Sequence, residues 1–246
     1  MALKKRIMNR PMPKHVAIIL DGNGRWARRR GRERTYGHEK GALNIKTVAL
    51  EANRLGIEVL SVYAFSTENW KRPEDETGFL MKLPKRFEES YRDDFKENDI
   101  RVVFSGRRDR IGEENRKFME ESEEKTKDRK GLTVNICFDY GGRTEIVSAA
   151  RDIAEKVKND SLAVESINEE TFAQHLYHPE LPPVDLLIRT SGAQRLSNYM
   201  LWQVSYAEFY FTRTHWPAFN EKELRKAIDD FQKRDRKFGG LKIKKG

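Results

Sequence analysis

Cysteine is nearly absent: one residue of 246, Cys137. That excludes an internal disulfide and a cysteine-rich zinc site, and it suits a reducing compartment, so a cytoplasmic protein is expected. Long apolar runs are missing too. The first twelve residues are basic, but the apolar run behind them, at 15–20, is too short for a signal-peptide core or a membrane span. There is no internal repeat and no Pro/Ser-rich linker, and the most linker-like stretch, 159–165, is short. One domain over 13–240 is expected, between a flexible basic N-terminus (1–12) and a basic tail (241–246). Two nucleotide-binding signatures are lacking. The glycines at 22 and 24 are not followed by Gly-Lys-Ser/Thr at Walker spacing, and no GxGxxG occurs. Readings as an ATP or dinucleotide site lose their main support.

What the chain has in excess is positive charge. Lys+Arg number 48 against 39 Asp+Glu, a net charge of +9, which attracts nucleic acid, anionic lipid or phosphorylated small molecules. Where the charge sits decides among these. Apolar segments at 15–20, 57–65, 100–104, 132–138, 184–188 and 207–211 read as strands, several of them without polar alternation. Between them, 37–55, 79–95 (broken at Pro84), 113–128, 144–157, 166–177 and 221–234 read as helices. The helix at 113–128 has little apolar face and is expected to be solvated. Strictly alternating strands and helices predict a central parallel sheet of about six strands flanked by helices.

Polar clusters recur where predicted strands end. Asp21-Gly22-Asn23-Gly24-Arg25 follows the first, Ser66-Thr67-Glu68-Asn69-Trp70-Lys71-Arg72 the second, and Arg189 to Gly192 with Arg195, Ser197 and Asn198 the fifth. In a parallel sheet these ends share one edge and build one site. Arg25, Arg72, Arg189 and Arg195 converging there suggest more than one phosphate group, because guanidinium forks match phosphate oxygens. Each member also has a plainer reading: Arg72 as a solvated charge, Ser197-Asn198 as a helix cap, His38 as a capping or core histidine, Trp70 as ordinary packing. Magnesium is held by one or two carboxylates plus substrate phosphates, which makes Asp21 and Glu208 candidates. Glu208, inside the apolar SYAEFYF, reads equally as half of a buried ion pair with an arginine. Carboxylates beside the arginines would repel a nucleic-acid backbone, so no nucleic-acid partner is expected.

The motifs DGNGRWA (21–27), GH (37–38), YAFSTENWKRP (63–73), DYGGR (139–143, similar to NYGGR), DLLIRTSG (185–192), RLSNYMLWQ (195–203), YAEFYFT (206–212), WP (216–217) and RKFGG (236–240) occur in this order. The chain resembles the cis-prenyltransferases, most of all bacterial undecaprenyl diphosphate synthases, from about residue 13 to 240. The resemblance implies a homodimer with a hydrophobic tunnel. It also implies successive condensation of isopentenyl diphosphate onto farnesyl diphosphate, with Mg2+, giving a lipid carrier precursor for cell-wall synthesis and a peripheral membrane contact for product release. It assigns Asp21 to catalysis and metal, Asn69 to proton acceptance, and Glu208 to the second metal ligand. Gly22, Asn23, Gly24, Arg25, Trp26, Arg34 and His38 would surround the allylic diphosphate. Ser66, Thr67, Glu68, Trp70 and Arg72 would line the site, and Arg189, Arg195, Leu196 and Ser197 would hold isopentenyl diphosphate. Two departures stand out: Ala193, where many relatives have Glu, and Lys237, where an arginine is usual before Phe-Gly. Tyr206, Phe209, Tyr210, Phe211 and Trp216 exceed what one sheet edge needs to cover, which also predicts an interface, with the tail 234–240 completing the neighbour's site.

Overall fold

A computed structural model describes residues 2–234. The apolar segments form β1 (His15–Ile19), β2 (Val59–Ser66), β3 (Arg101–Ser105), β4 (Thr133–Tyr140), β5 (Leu186–Arg189) and β6 (Glu208–Phe211). β1 is buried at every position, as a strand covered on both faces must be. The six strands form one parallel sheet in the order β3-β4-β2-β1-β5-β6, as the alternating pattern predicts. Helices α1 (Ala2–Met8), α2 (Asn23–Arg28), α3 (Arg34–Arg54), α4 (Glu74–Met81), α5 (Leu83–Glu97), α6 (Glu113–Thr126), α7 (Gly142–Lys158), α8 (Glu169–Ala173) and α9 (Glu221–Phe231) connect and cover it.

Alternate strand residues face two cores. Val16, Ile18, Leu60, Val62, Leu186 and Ile188 pack against Ile45 and Val48 of α3, Phe95 of α5 and Leu224 and Ile228 of α9. Ala17, Ile19, Tyr63, Cys137 and Leu187 meet Tyr199, Met200 and Val204 on the other face. Pro84 does mark a break: it separates α4 from α5 and sits in the first turn of α5, where a missing N–H costs nothing.

One expectation needs correction and another needs refinement. The N-terminus, expected to be flexible, forms α1 and docks on α9, with Ile7 fully buried and Arg6 donating to Asp229 at 2.6 Å. α6, expected to be solvated, is indeed exposed over most of its length, and its remaining face lies against edge strand β3. Its apolar contribution is small, chiefly Met119, but its polar side chains take up the N–H groups that an edge strand leaves open. Val102 N–H donates to Thr126 Oγ1 at 3.0 Å and Phe104 N–H to Glu123 Oε1 at 2.8 Å. The helix is bound through the edge it caps rather than through a greasy stripe.

Candidate active site

β1 is flanked by β2 and β5, so the C-terminal ends of the three strands open side by side. A cleft of about 570 Å3 lies there, lined by Asp21, Asn23, His38, Ser66, Glu68, Asn69, Arg72, Arg189, Arg195 and Ser197, joined by Arg143 and Asn198. The three polar clusters read from the sequence thus do share one edge.

Asp21 is pinned by its backbone. Its N–H donates to Thr190 Oγ1 at 2.9 Å, and its carbonyl accepts from Trp216 N–H at 3.0 Å. The side chain accepts from Arg25 on one oxygen and from Arg189 on the other, both at 3.0 Å. Burial pushes its pKa up, but the two arginines outweigh burial and hold the carboxyl below its ordinary value. It is a carboxylate at neutral pH. Gly22 follows with φ +99°, and a Cβ there would lie 2.6 Å from Ser191 Oγ and 2.8 Å from His215 Nδ1, a pair that itself hydrogen-bonds at 2.7 Å. Only glycine fits that approach.

On the opposite wall Glu76 gathers three predicted residues. It accepts two bonds from Arg34 at 3.1 Å, one from Arg72 at 2.8 Å and one from His38 Nε2–H at 3.1 Å. Burial raises its pKa, and Arg34 and Arg72 more than offset that, so it is ionised. Burial, then Arg72, lowers the pKa of His38. The third wall is stitched by Asn198, which donates to Glu68 at 2.9 Å and accepts from Arg143 N–H at 2.8 Å. Arg189 donates to Ser197 Oγ at 2.7 Å, and Asn69 accepts from Ser66 N–H at 3.1 Å within a capping box. A narrow apolar cavity adjoins the cleft between α3, α5 and the sheet. It shares Leu20, His38, Ala64 and Leu80 with the cleft and ends among Ile45, Leu83, Ile136 and Phe138.

Other predicted residues stand back from the cleft. Gly24 packs on the Arg34 side chain, and Arg25 reaches the cleft only through Asp21. Trp26 lies outside, stacked on Tyr36 at 5.9 Å beneath Arg30. The Thr67 hydroxyl donates to Glu68 at 3.2 Å, Leu196 packs against the Tyr199 core, and Trp70 points behind the cleft. Ala193 does not line the cleft, and Lys237 lies outside the described residues.

Glu208 requires a correction. Strand register pairs it with Leu186, which itself pairs with Val16, so it lies at the N-terminal end of the sheet and Asp21 at the other. It is bonded to Arg234 at 2.8 Å. Within one chain the two carboxylates therefore do not share an ion, and Glu208 makes a partly exposed ion pair with Arg234 rather than a buried one.

The family model for undecaprenyl diphosphate synthase matches residues 19–239. The chain belongs to this family of prenyltransferases. An isoprenyl transferase from Clostridium perfringens is 49% identical over 231 residues, 94% of this chain and 91% of that protein. A lavandulyl diphosphate synthase from Lavandula x intermedia, solved with dimethylallyl diphosphate, is 38% identical with a TM-score of 0.89, over 93% of this chain and 99% of that one. A probable undecaprenyl diphosphate synthase from Campylobacter jejuni is 36% identical with a TM-score of 0.78, over 94% of this chain and all of that one (100%).

In this prenyltransferase no three His, Cys, Asp or Glu side chains among the described residues come close enough to hold a metal ion by themselves. Asp21 nonetheless fits one: it is an ionised hard-oxygen donor facing a cleft lined by arginines, and magnesium needs only one protein carboxylate when phosphates supply further oxygens. Sequence reasoning missed Glu76, although its spacing of four from Arg72 at a helix start was a usable signal. It also passed over Arg143, whose place on the cleft depends on the start of α7 lying beside β2 and the 195–198 loop.

Proposed function

We propose that this prenyltransferase condenses isopentenyl diphosphate successively onto farnesyl diphosphate with cis double bonds, giving a polyprenyl diphosphate of the undecaprenyl type. The observation that carries the reading is a juxtaposition: a cleft edged by Arg72, Arg143, Arg189 and Arg195 shares Leu20, Asn23, His38, Ala64 and Leu80 with an apolar cavity under α3 and α5. Such a shape suits a molecule with a diphosphate at one end and a hydrocarbon at the other. When the allylic C1–O bond breaks, the electron pair leaves with the diphosphate, and arginines aimed at those oxygens stabilise the charge that develops. The double bond of isopentenyl diphosphate supplies electrons to the allylic carbon, and one proton is then lost. Asn69 lines the cleft, but a neutral amide is a weak base, so the departing diphosphate is the better proton acceptor. Bound Mg2+ would add Lewis-acid stabilisation of the leaving group, held by Asp21 and phosphate oxygens.

Within the site, Asn23 and His38 line both the cleft and the apolar cavity, which supports assigning the allylic diphosphate to them with Asp21 and Arg72; Arg195 and Ser197 would take isopentenyl diphosphate. The enzyme acts as a cytoplasmic homodimer that touches the membrane peripherally to release product. No helix among the described residues is long and apolar enough to cross a membrane. A second reading, a short-chain synthase primed by dimethylallyl diphosphate, is favoured by the narrowness of the apolar cavity and by the ligand of the lavandulyl neighbour.

The test is incubation with radiolabelled isopentenyl diphosphate and either primer, with products resolved by chain length on a reverse-phase plate. A long product from farnesyl diphosphate supports the first reading, and a product stopping after one addition to dimethylallyl diphosphate supports the second. No incorporation with either primer in the presence of Mg2+ would overturn both.

A further inference from the structure

The last residues of β4 carry a group that the reaction as described does not use. Asp139 is fully buried and adopts φ +46°, a left-handed conformation that few residues other than Gly, Asn and Asp accept readily. Its Oδ1 accepts from Trp70 Nε1–H at 2.7 Å, while Oδ2 has no hydrogen-bond partner among the described residues. Burying a carboxylate with half its acceptor capacity open is costly, so the one bond it makes has to matter to the local structure.

That bond reaches the active site from behind. Trp70 lies in the 3-10 turn Thr67–Lys71, which with Ser66 and Arg72 forms one wall of the cleft. Its indole is held edge-on by Phe65 at 5.3 Å and covered by the Arg110 guanidinium at 4.8 Å. Trp70 therefore does not line the cleft, whereas Asn69 within the turn and Arg72 just after it do. The carbonyl of Asp139 also accepts from Arg107 N–H at 3.1 Å, tying the loop that carries Arg110 to the same point.

We infer that Asp139 is a positioning residue: through Trp70 it fixes the turn that presents Asn69 and Arg72 to the substrates. This rests on the site assigned above. An asparagine, as in the similar NYGGR motif, would make the same bond through its amide oxygen and tolerate the same backbone. Asp139→Gly suits the backbone equally and removes only the acceptor. Trp70→Phe keeps an aromatic ring, smaller than the indole, and removes the donor.

The experiment compares Asp139→Gly, Asp139→Asn, Trp70→Phe and the double variant Asp139→Gly/Trp70→Phe in the full-length enzyme. Asp139→Gly and Trp70→Phe should each lower kcat about tenfold or more, since small misplacement of reacting groups is expensive, with KM for either substrate changing less. The double variant should be no slower than the singles, and Asp139→Asn should keep most of the wild-type kcat. The Trp70 fluorescence, taken as the difference from Trp70→Phe, should shift red in Asp139→Gly but not in Asp139→Asn. Wild-type kcat in Asp139→Gly, equal losses in the Gly and Asn variants, or losses that multiply in the double variant would each overturn the inference. If Asp139→Gly does not fold, the comparison of Trp70→Phe with Asp139→Asn/Trp70→Phe decides: an added loss in the latter counts against coupling. Absence of wild-type turnover would fault the substrate reading instead, and the fluorescence comparison would still stand.

Discussion

At the scale of single residues, Asp21 and Arg195 make opposite demands. Asp21 is held by two arginines and kept ionised, so removing it takes the carboxylate partner from Arg25 and Arg189 as well as the proposed metal contact. Asp21→Ala should cost several kcal/mol of barrier, on the order of 10³-fold in turnover or more, with the fold intact. Near-wild-type rates at saturating magnesium would remove Asp21 from the chemistry. Arg195 is exposed at the cleft and has no side-chain hydrogen bond or ion pair among the described residues, so its guanidinium is available to a ligand. Losing a charge-assisted phosphate contact is worth roughly 1.5–3 kcal/mol. Steady-state kinetics of Arg195→Ala should show KM rising for isopentenyl diphosphate far more than for farnesyl diphosphate. Equal rises would mean that the two diphosphates are assigned to the wrong walls.

At the scale of elements, a buried polar chain crosses the sheet and makes its stability depend on pH. Ser105 of β3 donates to Asn135 of β4 at 2.8 Å, Asn135 donates to Ser61 of β2 at 3.0 Å, and Ser61 lies 2.7 Å from His15 Nε2 on β1. His15 Nδ1 lies 2.7 Å from the Pro182 carbonyl, which can only accept, so Nδ1 carries the proton and Nε2 accepts from Ser61. The direction of the whole chain requires neutral His15. Burial, working against the Pro182 carbonyl and Asp185, lowers its pKa from 6.5 to about 4. Between those values the unfolded chain binds a proton that the folded chain refuses, so stability falls as pH drops from 6.5 toward 4. The full loss is on the order of 3 kcal/mol. Above pH 6.5 the effect vanishes. Urea unfolding at pH 7 and pH 5 should show His15→Gln losing about 2 kcal/mol less than the wild type on acidification. Parallel losses in the two proteins would show that His15 does not carry this dependence.

At the scale of the molecule, β6 is an edge of the sheet with no further strand beside it among the described residues, and Tyr206 (69% exposed) and Phe209 (37%) stand on or beside it. An unpaired edge with exposed aromatics is a surface that a second copy would cover. The expected outcome is a dimer by light scattering, with residues 235–240 of one subunit reaching the site of the other. Ending the chain after Arg234 leaves the Glu208–Arg234 pair in place and removes only the tail. The shortened enzyme should remain dimeric and lose affinity for isopentenyl diphosphate. Mixed with the Asp21→Ala subunit, it should recover part of its activity, because one intact site then meets one intact tail. A monomer, or proven heterodimers with no recovery, would refute a shared site.

The sequence by itself determined the order and kind of the main elements and the residues bordering the strand ends. Both are local properties: continuous apolar strands such as β1 differ from helical periodicity over a few residues, and Asp21-Gly22 or Arg189-Thr190 follow directly in the chain. Only the tertiary structure decided which ends meet and which way side chains point. The strand order put β2 and β5 on either side of β1, so Asn69 and Arg195 share the cleft of Asp21. Parallel register sent Glu208 to the far end of the sheet, where Arg234 neutralises it. Trp70 faced backward because Asp139, 69 positions away, offered the acceptor its indole required. Glu76 became a hub because α3 brought Arg34 and His38 against it. α6 docked despite its polarity because the edge of β3 needed acceptors. Each outcome depends on a partner distant in the chain, and periodicity carries no information about such partners.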